Sequence, residues 1–534
     1  MAIKDRKEMV MKYPIGIQTF DKIRKDGYVY VDKTALIYQL VTTGTIYFLS
    51  RPRRFGKSLL LSTLGAYYSG RRELFEGLAI AELEKDWLEY PIFHIDFNGG
   101  PYMQPGILEA TIEGYLGNWE DVYGKNPHYT TTGDRFKELL RRASEKAGRR
   151  AVVLVDEYDK PILDALDTPQ EAVNRELLKT FYSTFKSADA FLQFVLLTGV
   201  TKFSQVSVFS GFNQPKDISM DRRFDTLCGI TEQEMKDYFA EPIVAFAERY
   251  ECSVDEMKEI LKKQYDGYHF SSGLTNVYNP FSLLNAFDRI EIFDYWYATG
   301  TPTYLEKLLK HNHEQINELT GKYYAPAMFV DYKADVEKPL PMIYQSGYLT
   351  IKDYDLRRNS YLLDFPNNEV RQGFLTMIAN DYLKPKDGNI SSWVIDSLIL
   401  LEDGETTEFR DSLTAFLSSI AYDSHDSLKT PEATEKYFQY TFYLIMRLIG
   451  EGNCRIINEK TQAVGRVDCI IELKDYVYIF EFKLDGSADE ALRQIKEKNY
   501  AKPYLVDKRK VVCIGVNFSS KTMTVEEWRE DIGR

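Results

Sequence analysis

Residues 46–59 of the chain are IYFLSRPRRFGKSL, and this stretch decides the fold prediction. The apolar run Ile46–Ser50 predicts a short strand, and a helical pattern begins immediately after Gly56. Backbone N–H groups at the start of such a helix can bind phosphates. Lys57 is then placed to reach the β- and γ-phosphates, and Ser58 to bind Mg²⁺. The stretch predicts a phosphate-binding loop.

The loop departs from the usual phosphate-binding pattern at Arg51, which stands where that pattern has its first glycine. Arg51, Arg53 and Arg54 add positive charge beside the predicted phosphates, although each of them could instead be solvated or paired with acidic neighbours. We predict that the nucleotide is bound by the consecutive loop residues Arg53, Arg54, Phe55, Gly56, Lys57, Ser58 and Leu59.

Three further apolar runs follow the first one, at Ile92–Phe97, Ala151–Val155 and Phe191–Thr198. Helical patterns separate them. Near-continuous apolar runs of this kind favour a parallel sheet that is covered on both faces. The sequence therefore predicts an α/β domain.

Two carboxylates, Asp156 and Glu157, end the third of these runs. This is the pattern of a Walker B strand, in which Asp156 holds the Mg²⁺ shell and Glu157 orients and polarises the attacking water. Thr198, at the end of the next run, could sense the γ-phosphate, and it could equally be a simple strand-end residue. The predicted cofactors are ATP and Mg²⁺.

Several segments together resemble the bacterial and archaeal AAA-ATPase-like family: Tyr30–Thr34, Arg51–Ser58, Val155–Asp159, Leu197–Lys202, Phe209–Gly211, Gly229–Thr231 and Tyr265–Tyr268. Arginine in place of the first glycine is usual in that family. The resemblance implies an additional-strand P-loop ATPase core with a helical lid. It also implies that Tyr30–Thr34 lies near the nucleotide, whereas a surface turn and a helix cap is the alternative for Asp32 and Lys33. Arg222 and Arg223 are arginine-finger candidates by position alone.

The C-terminal block contains a second constellation, in which Asp468 precedes Glu481 and Lys483. If Lys474 and Asp475 form the turn between two apolar strands, Asp468 lies directly opposite Glu481, with Cβ atoms about 4.5–5.5 Å apart. Two carboxylates this close favour a hard cation such as Mg²⁺ between them. Lys483 points to the same face, where it can position or deprotonate water. A longer loop would change this register.

This arrangement resembles the PD-(D/E)xK phosphodiesterase superfamily over residues 431–534. The resemblance implies a glutamate on the preceding helix, for which Glu435 fits best and Glu432 second. It also implies a polar residue on the following helix, which Gln494 matches. We predict Glu157, Glu435, Asp468, Glu481, Lys483 and Gln494 as catalytic residues. The predicted metal ligands are Ser58, Asp156, Asp468 and Glu481.

Four domains are predicted in this chain of 534 residues. They are a P-loop ATPase-like domain (1–225), a helical lid (226–335), a mixed linker domain (336–430) and a restriction-endonuclease-like α/β domain (431–534). The net charge of −13 disfavours general polyanion binding. However, residues 431–534 contain 17 basic and 17 acidic side chains. Basic residues after the second site, namely Lys496, Lys498, Lys502, Lys508, Arg509 and Lys510, could contact a phosphate backbone.

The sequence thus predicts an ATPase coupled to a nuclease-like domain that acts on DNA, with RNA not excluded. We hypothesise that the nucleotide state gates the second site. The alternatives are a nucleotide-dependent switch or scaffold that binds DNA or a partner without cutting, and an ATPase that remodels protein or nucleic acid. Scattered cysteines, the absence of a signal-peptide pattern and apolar runs far shorter than a membrane span predict a cytoplasmic protein without a membrane partner.

Overall fold

The computed structural model describes residues 11–203, 215–299, 319–330, 338–383, 390–419, 441–442, 444–445, 455–462, 465–504 and 507–533. The chain divides into two compact units, Met1–Val370 and Arg371–Arg534. The finer four-domain division stays a prediction. Each unit contains its own five-stranded sheet and its own buried core.

A five-stranded parallel sheet forms the centre of the first unit. Its strands are β1 (Ile46–Ser50), β2 (Ile92–Asp96), β3 (Ala151–Asp156), β4 (Leu192–Gly199) and β5 (Lys216–Asp217), in the order β2-β3-β4-β1-β5. Strand β3 is buried along its whole length, as expected for a strand covered on both faces. Because β1, β4 and β3 are neighbouring parallel strands, their carboxyl ends meet at one edge of the sheet. The predicted additional-strand P-loop core is confirmed.

The helices of this α/β region are α1 (Phe20–Lys25), α2 (Thr34–Thr43), α3 (Lys57–Tyr68), α4 (Ile80–Leu83), α5 (Ile107–Tyr123), α6 (Thr132–Ala147), α7 (Lys160–Leu163) and α8 (Pro169–Ser187). Helices α3 and α6 both pack against β3. Leu60, Leu61 and Leu64 of α3 are buried, which is the face that the sequence pattern predicts.

A mainly helical region follows, with α9 (Glu232–Tyr238), α10 (Ala240–Arg249), α11 (Val254–Tyr265) and α12 (Pro280–Arg289). Thr231 and Glu234 form the expected capping box at the start of α9. The single helix predicted through Arg249 is instead broken at Phe239, whose φ of −128° is not helical. The region also contains the short paired strands β6 (Ile230–Thr231) and β7 (Val277–Tyr278).

The mixed region of the first unit contains a three-stranded sheet. Its strands are β8 (Lys322–Tyr324), β9 (Thr350–Asp355) and β10 (Ser360–Asp364), in the order β8-β10-β9. Helix α13 (Leu340–Gln345) precedes β9, and α14 (Asn368–Leu383) follows β10. The aromatic, stranded patch predicted from the sequence is therefore present.

The second unit contains a five-stranded sheet in sequential order. It is formed by β11 (Arg455–Gln462), β12 (Gly465–Glu472), β13 (Tyr476–Leu484), β14 (Lys510–Ser519) and β15 (Thr524–Gly533). Only β13 and β14 pair in parallel, and α17 (Ala488–Glu497) connects them. The unit also contains α15 (Ile390–Asp403) and α16 (Thr406–Ser419). The sequence pattern does not predict strand β15, because its charged residues give little apolar alternation.

Candidate functional site

The phosphate-binding loop has the backbone that its sequence requires. Gly56 caps the start of α3 with φ +88°, a left-handed conformation that favours glycine. Lys57 is buried, and its Nζ donates to the main-chain oxygens of Arg51 and Pro52 at 3.0 and 3.1 Å. Burial lowers the pKa of Lys57, while Asp156 and Glu157 oppose this effect. The amine is thus held inside the loop, beside the start of the helix.

The ends of β3 and β4 place a carboxylate pair beside this loop. Asp156 Oδ1 accepts hydrogen bonds from Thr198 Oγ1 at 2.7 Å and from the Glu157 N–H at 3.0 Å. Thr198 is fully buried, so it orients Asp156 from behind. Glu157 has φ +48°, and burial raises its pKa. The Thr198 hydroxyl therefore contacts Asp156, an arrangement different from both the γ-phosphate sensor and the simple strand-end residue that the sequence left open.

A cavity of about 360 Å³ brings most of the predicted nucleotide-site residues together. Its wall includes Arg53, Arg54, Gly56, Lys57, Ser58, Leu59, Asp156 and Glu157. The rest of the wall is not predicted by the sequence patterns, and it consists of Pro14–Gln18, Asp96, Asn98, Pro280, Phe281 and Leu284. Asp96 and Asn98 were detectable as polar residues at the end of an apolar strand. The other missed residues carry no such local signal.

Arg51 does not face this cavity. Its side chain is buried, and Nη1 donates to the main-chain oxygens of Ser50 and Ser219 at 2.9 and 2.7 Å. The guanidinium lies 4.1 Å from the centre of the Phe270 ring. Arg51 therefore connects the end of β1 to neighbouring loops, and its role is structural.

Two other loop residues pack against the helical region. Phe55 is buried against Tyr268 and Phe270, with ring centroids 4.8 and 5.3 Å away. Arg54 lies over the Phe281 ring at 5.0 Å. The side chain of Phe55 thus anchors the loop, while Arg54 lines the cavity.

The segment that includes Asp32 and Lys33 has the features of a helix cap. Asp32 Oδ1 accepts from the N–H and the hydroxyl of Thr34, the first residue of α2. Lys33 forms an ion pair with Glu234 at 2.6 Å. Both side chains therefore have structural partners. Of the two arginine-finger candidates, Arg223 forms an ion pair with Asp221.

The predicted hairpin is present in the second unit. The Leu473 N–H donates to the Tyr476 oxygen at 2.8 Å, so Lys474 and Asp475 form the turn. Cys469 pairs with Phe480 in the expected register. The ladder ends there, and Asp468 Oδ2 instead accepts from the Phe482 N–H at 2.8 Å.

Glu481, Lys483 and Gln494 meet on one face of this hairpin. Lys483 Nζ donates to Gln494 Oε1 at 2.7 Å, and Gln494 Nε2 donates to Glu481 Oε1. Burial, followed by the nearby charge of Asp468, raises the pKa of Glu481 to about 8. Tyr500, which no sequence pattern indicates as a site residue, is buried close to Gln494.

The donor set of this face fits a hard cation. Within the described ranges, Glu481 Oε2 is buried and has no hydrogen-bond partner, and the Asp468 charge lies beside it. A divalent ion would offset both charges. No group of three His, Cys, Asp or Glu side chains is assembled among the described residues. Glu435 and Glu432, the predicted further ligand positions, lie outside those residues.

The basic residues after the second site are partly neutralised by acidic neighbours. Lys496 forms an ion pair with Asp531 at 2.7 Å, and Arg509 forms ion pairs with Asp507 and Glu472 at 2.6 and 3.5 Å. The positive charge available to a phosphate backbone is therefore smaller than the sequence count indicates.

Comparisons with known proteins give a matching family model for each of the two regions that contain a candidate site. The family model described as "Predicted AAA-ATPase" matches residues 14–209, and the model of the "PD-(D/E)XK nuclease superfamily" matches residues 433–528. An Azotobacter chroococcum mcd 1 protein, described as "Uncharacterized protein in vnfD 5'region", is 37% identical over 522 residues, which cover 96% of this chain and 98% of the relative. The chain belongs to the AAA-ATPase-like family with a C-terminal PD-(D/E)XK nuclease superfamily domain.

Membership in this family confirms the predicted resemblance and the general class of the chain, which combines two domains of hydrolase families. The Aeropyrum pernix ORC1 protein, solved in complex with DNA, aligns over 89% of this chain and 95% of its own, with 13% identity and a TM-score of 0.24. Among the described helices, none combines the length and the apolar composition that a membrane span requires.

Proposed function

We propose that this AAA-ATPase-like protein binds and hydrolyses ATP with Mg²⁺ in its first unit and cleaves nucleic-acid phosphodiester bonds with a divalent metal in its second unit. The observation that carries the proposal is the convergence of Lys57, Ser58, Asp156 and Glu157 on one cavity. The strand order supports it, because β1 and β3 bring both motifs to the same edge.

In the ATPase site, the Lys57 amine exchanges its two carbonyl partners for phosphate oxygens. Ser58 and Asp156 would hold Mg²⁺, which offsets the phosphate charge when it is bound. Thr198 keeps the Asp156 carboxylate in one orientation. Glu157 orients the attacking water, and burial raises the pKa of its carboxyl group.

In the nuclease-like site, Asp468 and Glu481 would hold the divalent cation, which supplies an activated water when it is bound. Lys483 lies on the same face and can stabilise negative charge that develops on the phosphate. Gln494 bonds to both Lys483 and Glu481 and so holds them in place. DNA is the proposed substrate, and RNA is the alternative that the experiment below distinguishes.

One observation favours a second function, a nucleotide-dependent switch whose nuclease-like domain binds DNA without cutting it. Lys483 already donates to Gln494, so its amine must exchange this bond before it contacts a phosphate. In either case, we propose that the nucleotide state gates the second site.

The test compares the wild-type protein with Lys57→Ala and Asp468→Ala. Labelled DNA and RNA are incubated with Mg²⁺, with and without ATP, while ATP turnover is measured in parallel. Lys179→Ala and Asp489→Ala are matched controls, because Lys179 and Asp489 lie on the protein surface in exposed ion pairs with Glu176 and Arg529. We expect loss of ATP turnover in Lys57→Ala alone and loss of cleavage in Asp468→Ala.

The outcomes separate the two functions. If ATP turnover depends on Lys57 but neither nucleic acid is cut under any condition, the proposed nuclease activity is wrong and the nucleotide-dependent switch is the function supported. If Lys57→Ala turns over ATP like the wild type, the phosphate-binding assignment is wrong.

A further inference from the structure

The segment Gln345–Tyr348, at the end of α13, contacts both sides of the nucleotide site. Its residues Gln345, Ser346, Gly347 and Tyr348 are buried or, for the glycine, tightly enclosed. One end meets the loop after β4, and the other meets the phosphate-binding loop. The function proposed above assigns no role to this segment.

Gln345 forms the first contact, with the loop after β4. Its Oε1 accepts from the Lys202 N–H at 2.8 Å, and its Nε2 donates to the main-chain oxygens of Phe329 and Val330 at 3.2 and 2.5 Å. The oxygen faces a donor and the nitrogen faces two acceptors. The amide orientation is therefore determined, and Gln345 holds residue 202 at a fixed distance from the 329–330 turn.

The loop that Gln345 holds is bonded in turn to the Walker B segment. Asp159 Oδ2 accepts from the N–H groups of Val200 and Thr201 at 3.0 and 2.6 Å and from the Thr201 hydroxyl at 2.7 Å. The Tyr158 hydroxyl donates to the Thr201 oxygen at 2.9 Å. A displacement of residue 202 thus acts on the residues that directly follow Glu157.

Gly347 forms the second contact, with the phosphate-binding loop. It has φ +91°, and a Cβ at this position would lie 2.6 Å from the Cβ of Pro52. Tyr348 packs edge-on against Trp296 at 4.9 Å, and Trp296 Nε1 donates to the Arg53 oxygen at 3.2 Å. The segment thereby supports the loop at two consecutive residues, Pro52 and Arg53.

We propose that Gln345–Tyr348 is a positioning segment for ATP hydrolysis. Gln345 acts on turnover, because it holds the loop that is bonded to the Walker B residues. Gly347 and Tyr348 act on nucleotide affinity, because they support the phosphate-binding loop. The proposal rests on the ATPase function proposed above. Changes at Gln345 are expected to lower kcat, whereas changes at Gly347 are expected to raise the Kd for Mg·ATP.

The affinity end is tested with Gly347→Ala. The added methyl group displaces Pro52, so we expect the Kd for Mg·ATP to rise about tenfold or more. Gly321→Ala is the matched control, since Gly321 has a similar φ of +69° but free space around its Cβ position. Trp296→Phe is a milder second variant that removes the bond to Arg53 and keeps an aromatic ring beside Tyr348, and it is expected to weaken ATP binding in the same direction. Equal Kd values for Gly347→Ala, Trp296→Phe and the wild type would overturn this half.

The turnover end is tested with Gln345→Met, which keeps the side-chain length but makes no hydrogen bonds. We expect kcat to fall about tenfold while KM changes by less than about twofold. Gln264→Met is the control, because Gln264 makes a side-chain bond to Asp294 away from the nucleotide cavity. A parallel change of kcat and KM, or no change, would contradict the positioning role.

Lys57→Ala, measured beside these variants, distinguishes a failure of the positioning role from a failure of the ATPase function. If the wild type binds and hydrolyses ATP in a Lys57-dependent manner while the segment variants behave like it, only the positioning role fails. If the wild type shows no Lys57-dependent turnover, the ATPase function itself fails.

Discussion

At the scale of single residues, the two sites hold their carboxylates by different means. Asp156 receives two hydrogen bonds, from Thr198 and from the Glu157 N–H, and these fix its orientation. Glu481 is bonded to Gln494 through one oxygen, while its second oxygen is buried without a partner among the described residues. The Asp156 carboxylate is therefore oriented before any ligand binds. A bound cation would instead give the buried Glu481 oxygen the partner that it lacks among the described residues.

The Thr198 hydroxyl provides a direct test of the first arrangement. Thr198→Val keeps the shape but removes the donor to Asp156, and a hydrogen bond to a charged group contributes about 1.5–3 kcal/mol. We expect ATP turnover to fall by about tenfold or more, while Thr198→Ser, which keeps the hydroxyl, stays near the wild type. Steady-state ATPase assays measure this, and equal rates for the Val and Ser variants would contradict it.

Glu369 provides a pH-dependent test. Burial raises its pKa to about 8, whereas hydrogen bonds from Trp296 and Ser282 act in the opposite direction. Between its unfolded pKa and about 8, the folded state holds a proton that the unfolded state lacks. This carboxyl therefore makes folding less favourable as pH rises through that range, by about 1.4 kcal/mol for each unit of pKa difference.

We expect Glu369→Gln, which stays neutral, to have a higher Tm than the wild type at pH 8 and a smaller difference at pH 5. Thermal unfolding at both pH values measures this. Glu248→Gln, at an exposed position on α10, is the control. A Tm difference that is the same at both pH values would show that Glu369 does not titrate in this way.

At the scale of elements, the hairpin β12–β13 and strand β15 build the second site. The hairpin brings Asp468 close to Glu481, and β15 pairs antiparallel with the neighbouring strand β14. Trp528 of β15 is 8% exposed, and its ring lies 5.9 Å from Phe480 of β13. This last strand therefore contributes to the core on which the site residues are mounted.

Trp528→Ala is expected to destabilise the second unit by about 3–5 kcal/mol, the usual loss for a large aromatic side chain removed from a core. Hydrogen exchange of peptides from β13 and β14 in the full chain should become faster. Trp528→Phe keeps a ring and should have a smaller effect. Unchanged exchange in Trp528→Ala would mean that β15 contributes little to this core.

At the scale of the whole molecule, each of the two compact units contains one of the two candidate sites. Within residues 431–534 the basic and acidic residues balance, so the net charge of −13 comes entirely from the rest of the chain. An acidic protein can therefore contain a domain whose net charge does not repel a polyanion such as DNA. Some of the basic residues are engaged in ion pairs, so we expect weak, salt-dependent DNA binding outside the metal site.

Mg·ATP is expected to stabilise Met1–Val370 by about 2.7 kcal/mol at 100 times its Kd, because it binds only the folded state. Hydrogen exchange in β1, β3 and α3 should slow accordingly. The proposed gating further predicts changed exchange around Asp468–Lys483, and Lys57→Ala should abolish both effects. Protection confined to the first unit would contradict the gating and leave the ATP site in place.

Local sequence patterns were sufficient for the elements that carry the motifs. The apolar run before Gly56 predicted β1 and the start of α3, and the two-residue turn at Lys474–Asp475 predicted the register of the hairpin. These features depend on periodicity and on neighbours within a few residues, so the sequence by itself determined them. The same is true of the capping box at Thr231.

Tertiary structure alone decided what surrounds those motifs. It buried Arg51 against carbonyl oxygens from residues far along the chain, and it placed Thr198 behind Asp156. It also completed the nucleotide cavity with Pro14–Gln18 and brought Gly347 against the phosphate-binding loop. The physical reason is that burial and close packing join residues tens to hundreds of positions apart, and no local pattern encodes which distant side chain fills a given space.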